Sequence, residues 1–146
     1  VLHIGTMDRN EKECIGSIYK YENNQLIELI PNIGISNGIA FSKDNKIMYH
    51  SDSLKGEIYQ NNNLFYKYEN IGPDGATVDH YDNYYSCLWG GSRIDIFNEF
   101  KLDRSIDLSV TYPTCCCFGG SDMDKLFITS ASILDNTGDN GNLILI

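Results

Sequence analysis

Asn37 and Asp74 are oxygen-bearing residues that recur in matching surroundings. Each is followed by glycine and stands at the start of a short strand-like run, Ile39–Ser42 in one case and Ala76–Asp79 in the other. Thr114 holds the equivalent position ahead of Cys115–Phe118, and the offsets between the three are 37 and 40 residues. An amide oxygen and a carboxylate brought around one axis are hard ligands, suited to calcium, magnesium or manganese. The competing reading is that the Asx-Gly pair only shapes the turn into each run. The repeat alone leaves both readings open.

Other reactive-looking groups carry less. Gly34-Ile-Ser-Asn-Gly38 matches G-x-S-x-G, in which a serine nucleophile occupies a strained turn between a strand and a helix. The residues after Gly38 read instead as a short strand and the turn Lys43-Asp-Asn-Lys46, so Ser36 is given no nucleophilic role. His3, His50 and His80 lack metal-site spacing and are expected to be hydrogen-bonded structural residues. The stretch Asp135–Asn142 looks superficially like a calcium loop. It lacks the alternating oxygen ligands and closing glutamate of an EF-hand, and is expected to be a surface hairpin connection.

Cysteines stand at 14, 87, 115, 116 and 117. They show neither the C-x-x-C spacing of zinc sites nor a local geometry for a disulfide. They are expected to act as small buried hydrophobes in strands, reduced in a cytoplasmic compartment.

The elements that would position Asn37 and Asp74 are strands. No segment sustains helical apolar spacing for ten residues, and the best, Leu26–Ile30, is stopped by Pro31. Short β-branched and aromatic runs recur instead between Gly, Asn and Asp clusters: Ser17–Tyr21, Ile47–Ser51, Glu57–Gln60, Leu64–Tyr68, Tyr84–Trp89, Arg93–Phe97, Ser105–Leu108, Leu126–Ser130 and Asn142–Ile146. The segment Asn37–Asp52 parallels Asp74–Trp89, and Thr114–Thr129 begins a third copy. About four strands per unit and a period near 40 residues are the signature of β-propeller blades. Two complete blades are predicted, roughly Gly38–Tyr68 and Gly75–Leu108, with further strands from Val1 to Ile30 and from Cys115 to Ile146.

Composition narrows the partners. Of 146 residues, 42% are hydrophobic and 21% charged, which is globular rather than disordered. A net charge of −9 repels phosphate backbones and anionic lipid, arguing against nucleic-acid and membrane partners. No apolar run reaches the roughly 18 residues of a membrane span.

In order along the chain stand Gly5-Thr-Met-Asp8, Ile35-Ser-Asn-Gly-Ile-Ala-Phe-Ser42, Tyr49-His-Ser-Asp-Ser53, Pro73-Asp-Gly-Ala-Thr-Val-Asp79, Leu88-Trp-Gly-Gly91 with Arg93, and Cys117-Phe-Gly-Gly120 leading to Phe127-Ile-Thr-Ser-Ala131. This ordered set resembles the senescence-marker-protein/regucalcin/gluconolactonase family, which includes luciferin-regenerating enzymes. The resemblance implies a six-bladed propeller with one divalent metal at the top of its channel, calcium first, with zinc, magnesium or manganese as alternatives. It implies hydrolysis of a sugar lactone or similar cyclic ester, with Asn37 and Asp74 as metal ligands. Asp74 is then the group that takes the proton of the attacking water, and Thr6, Met7 and Asp8 resemble the substrate-pocket segment.

The family's third ligand is a glutamate of the first blade, and its substrate-binding arginine and asparagine precede the G-T-M motif. None of these has a counterpart in the 146 residues. Residues 1–146 are therefore expected to form a partial gluconolactonase-like domain, the C-terminal three to four blades of the ring. A non-catalytic calcium-binding or regulatory propeller is the alternative, as is an inactive fragment that associates with another chain or with itself.

Overall fold

The computed structural model describes residues 1–99, 101–132 and 141–146, and every regular element in them is a β-strand. Strands β1 (Leu2–Gly5), β2 (Gly16–Glu22) and β3 (Gln25–Ile33) form a three-stranded antiparallel meander. A four-stranded meander follows: β4 (Ser36–Phe41), β5 (Met48–Asp52), β6 (Glu57–Gln60) and β7 (Asn63–Lys67). A second contains β8 (Gly72–Val78), β9 (Tyr84–Trp89), β10 (Arg93–Asn98) and β11 (Lys101–Asp107). The last sheet holds β12 (Pro113–Gly119), β13 (Lys125–Ser130) and β14 (Leu143–Leu145). The two stretches read as complete repeat units each fold as one four-stranded sheet. The predicted connection at Asp135–Asn142 lies, but for its last two residues, outside the described residues.

Local chemistry explains these hairpins. Asn23-Asn24 joins β2 to β3 with φ of 51° and 61°, and Asn61-Asn62 joins β6 to β7 with φ of 46° and 62°. Two successive left-handed residues make the tight turn that matches strand twist, and asparagine adopts that conformation readily. The helix-like spacing of Leu26–Ile30 falls within strand β3. Pro31 is tolerated there because β3 is an edge strand whose register shifts beside it.

The core lies between sheets. Ala40, Tyr49, Ile58, Tyr84, Leu88 and Phe97 fill the space between the two four-stranded sheets. Tyr85, Cys87, Ile94, Ile96, Cys116, Leu126 and Ile128 fill the next. Alternation along β9 sends Tyr84 and Leu88 into one layer and Tyr85 and Cys87 into the other. A strand buried on both faces explains the unbroken apolar character of this run, each large side chain contributing roughly 1.5–3 kcal/mol.

Two expectations are corrected here. Only Cys87 and Cys116 are buried; Cys14, Cys115 and Cys117 are exposed. On β12 the two-residue period turns Cys116 inward and its neighbours outward, and Cys14 lies outside any strand. Among the described residues no hydrogen bond holds His3 or His80, against expectation, and ring packing holds them instead. His3 packs on Phe41 at 4.7 Å, and His80 packs on Tyr81. His50 is 1% exposed and stacks flat on Tyr59, with neither ring nitrogen in a hydrogen bond of good geometry. No helix among the described residues is long and apolar enough to cross a membrane.

Candidate metal and substrate site

The leading strands of three successive sheets, β4, β8 and β12, lie side by side. Each carries a register irregularity, between Asn37 and Ala40, between Pro73 and Ala76, and between Pro113 and Cys115. Bulges re-aim side chains, and these fall where the repeat places Asn37, Asp74 and Thr114. The motif residues therefore sit inside their strands, not ahead of them. The glycines after Asn37 and Asp74 serve different ends. Gly38 has φ of +58°, whereas a Cβ on Gly75 would meet the Thr114 carbonyl at 2.6 Å.

Asp52 fixes the approach to Asn37. Its carboxylate, 1% exposed at the end of β5, accepts the Gly34 N–H at 2.8 Å and the Ile35 N–H at 3.1 Å, and pairs with Lys55 at 2.9 Å. Burial alone would raise its pKa, but Gly34, Lys55 and Ile35 together hold it below the usual carboxylate value. Tyr84, fully buried, donates its hydroxyl to the Gly38 carbonyl at 2.9 Å and ties β9 to β4.

Asn37 and Asp74 line one cavity of about 420 Å³, together with Met7, Glu11, Ile35, Ser53, Leu54, Gly72 and Trp89. Asn37 Nδ2 donates to Ser53 Oγ at 2.9 Å, and no hydrogen bond reaches its Oδ1 among the described residues. Asp74 has no ion pair among them. Burial pushes its carboxyl up to about 6, with the Gly75 N–H pulling the other way. The lining contains two carboxylates, an amide and a hydroxyl, and no cationic side chain. A free amide oxygen beside an uncompensated carboxylate fits two positions of a hard-cation site. No cluster of three His, Cys, Asp or Glu stands together among the described residues, so these two are a partial set.

The segment after β1 divides. Met7 bridges to Ile35 and lines the cavity. Thr6 does not line it, because its hydroxyl exchanges hydrogen bonds with the Ser17 N–H and carbonyl. Asp8 is buried and accepts backbone N–H groups from Asn10, Lys12 and Glu13, which lower its pKa. That carboxylate folds the loop that carries Glu11 to the rim. Thr114 also stays outside the lining, its hydroxyl 2.7 Å from that of Thr129.

Glu11, Ser53 and Trp89 were missed by sequence reasoning. For the last two a signal was present: in an antiparallel pair the end of the second strand returns beside the start of the first. Ser53 follows β5 and Trp89 ends β9, so both had to reach the level of Asn37 and Asp74.

Meandering four-stranded sheets whose leading strands gather beside one cavity define a β-propeller type of protein. Over residues 1–132 the chain matches the SMP-30/gluconolactonase/LRE-like region, and it belongs to that family. It is 29% identical to the putative sugar lactone lactonase YvrE of Bacillus subtilis, across 90% of this chain and 50% of that protein. It is 28% identical to regucalcin of Xenopus laevis, across 87% of this chain and 50% of that one. The solved structure of a calcium-binding protein, regucalcin, from Agrobacterium tumefaciens shares the fold, with a TM-score of 0.84 at 23% identity over 99% of this chain and 56% of that chain. The chain spans about half the length of the curated relatives it matches.

Proposed function

We propose that this chain carries part of the active site of a metal-dependent lactonase acting on a sugar lactone or similar cyclic ester. The observation that carries the reading is that one cavity without cationic lining holds both the Asn37 amide oxygen and the Asp74 carboxylate, neither of them paired among the described residues. In this reading the four sheets are blades of a six-bladed ring, of which the chain is the C-terminal part. The doubled length of the relatives and the lactonase name among them support it, and favour it over a non-catalytic propeller.

Asn37 Oδ1 and Asp74 would hold the divalent ion, calcium being the first expectation from their oxygen chemistry. Such an ion, when bound, polarises a lactone carbonyl and makes water more acidic. Asp74 is ionised for the most part at neutral pH, yet basic enough to accept a proton from water at a carboxylate oxygen. Asn37 stays neutral and orients. Met7, Ile35, Leu54 and Trp89 give the cavity an apolar wall against a ring face, while Glu11 at the rim can accept sugar hydroxyls.

The test is hydrolysis of gluconolactone by the intact protein with calcium, after chelation, and in Asp74→Ala. Turnover that is lost on chelation and in the variant supports the assignment. Chelator-insensitive turnover, or full activity in Asp74→Ala, removes it.

A further inference from the structure

We infer that Ser53 is a positioning residue that decides which face of the Asn37 amide looks into the cavity. A serine hydroxyl has one proton. Ser53 Oγ gives it to the Pro73 carbonyl at 2.6 Å. Toward Asn37 the oxygen can therefore only accept, and it does so from Nδ2 at 2.9 Å. With the NH2 side fixed there, Oδ1 is left facing away from Ser53 as an acceptor for a cation. Were the hydroxyl proton free to turn, the amide could flip and present N–H groups instead, which repel a cation.

The same hydroxyl spans the two halves of the site. Pro73 immediately precedes Asp74, so Ser53 ties the residue that orients Asn37 to the strand that carries the carboxylate. Ser51, two residues earlier, points its hydroxyl toward the Asp74 carbonyl at 3.4 Å. The Ser53 backbone N–H holds the Ile35 carbonyl at 2.9 Å, which fixes Ser53 itself against the strand it serves. Partners behind a ligand that set its orientation typically change metal affinity by 10- to 100-fold when removed.

This inference rests on the metal reading of the cavity, and one experiment separates the two. Hydrogen exchange of the Asn37 side-chain NH2 is followed by 15N NMR in the metal-free intact protein and in Ser53→Ala, and each is titrated with calcium chloride. Slow exchange is expected in the wild type, with at least tenfold faster exchange and roughly tenfold weaker calcium binding in Ser53→Ala. Lost protection in the variant with no calcium binding by either protein would keep the positioning role and remove the metal reading. Equal amide protection overturns the positioning role whatever the calcium result, and calcium bound with equal affinity by both proteins overturns it while leaving the metal reading standing. Should alanine unfold the sheet, the wild type still decides: an Asn37 amide that exchanges at the rate of a free asparagine side chain overturns it.

Discussion

Asp52 and Asp74 end up at the same end of the molecule, one closing β5 and the other in the bulge of β8, yet they are treated in opposite ways. Asp52 receives the backbone N–H groups of Gly34, Ile35 and Lys55 and the Lys55 ammonium, and its charge is stabilised despite near-complete burial. Asp74 is half-buried with no cation beside it among the described residues, and its charge is disfavoured. The fold compensates its buried carboxylate charge in one place and leaves one uncompensated among the described residues in another, and the proposed cation site rests on that asymmetry. Asp95 strengthens the contrast. It is fully buried and satisfied by Arg93, Tyr68 and Ser105.

The largest effect should follow from breaking the satisfied member. Asp52→Ala leaves the Gly34 and Ile35 N–H groups without their acceptor and Lys55 with only the Asn32 carbonyl, a loss of about 3 kcal/mol. Urea unfolding measures it. A change below about 1 kcal/mol would mean that water replaces the carboxylate and that the contrast with Asp74 is smaller than drawn.

His50 offers a second break in the same sheet. Burial pushes its pKa down to about 4, against the pull of Asp52 and of the nearby Asn62 side chain and with Lys55 assisting. The folded value lies below the ordinary 6.5, so the folded state resists protonation that the unfolded chain accepts. Stability is complete above about pH 6.5 and falls as the pH drops toward 4, by roughly 2–3 kcal/mol at pH 4.5. Denaturation at pH 7 and 4.5 tests this, and His50→Phe, which keeps an aromatic ring on Tyr59, should flatten the difference. An unchanged acid loss in that variant would assign it to other groups.

The repeat was readable because it lies in composition: Asn-Asn turns, two-sided apolar runs such as Tyr84–Trp89, and matched Asx-Gly pairs all survive without coordinates. That Asn37 and Asp74 share a cavity follows from the repeat, since equivalent residues of neighbouring sheets converge. Thr114 obeys the same repeat, but its hydroxyl is engaged by Thr129, a pairing set by cross-strand register that spacing does not encode. Thr6 and Asp8 look like site residues in sequence and turn their polar atoms to backbone in the fold. Glu11 reaches the rim only through the isolated bridge from Met7 to Ile35 and the loop that Asp8 folds. Contacts that arise from loops and bulges depend on three-dimensional closure and leave no period in the chain.

A smaller effect is expected where β9 is tied to the strand of Asn37. Tyr84→Phe removes the hydroxyl that caps the Gly38 carbonyl and preserves the ring stacked on Tyr49 at 4.6 Å. The loss should be about 1 kcal/mol in unfolding experiments. A much larger loss would show that this hydrogen bond holds the bulge that aims Asn37, placing Tyr84 with Asp52 among the groups that build the site.

The smallest change in stability should come from the uncompensated member. Asp74→Asn removes a carboxylate that burial disfavours and that makes no ion pair among the described residues, while keeping shape and hydrogen-bonding capacity. Stability in the absence of metal should stay within about 0.5 kcal/mol of the wild type or rise slightly. Calcium-induced stabilisation should vanish, since that gain depends on binding the folded state alone. The pairing of these two results matters more than either. If Asp74→Asn destabilised the metal-free protein as much as Asp52→Ala does, Asp74 would be a structural carboxylate like Asp52. The reason for reading its cavity as a cation site would then be gone.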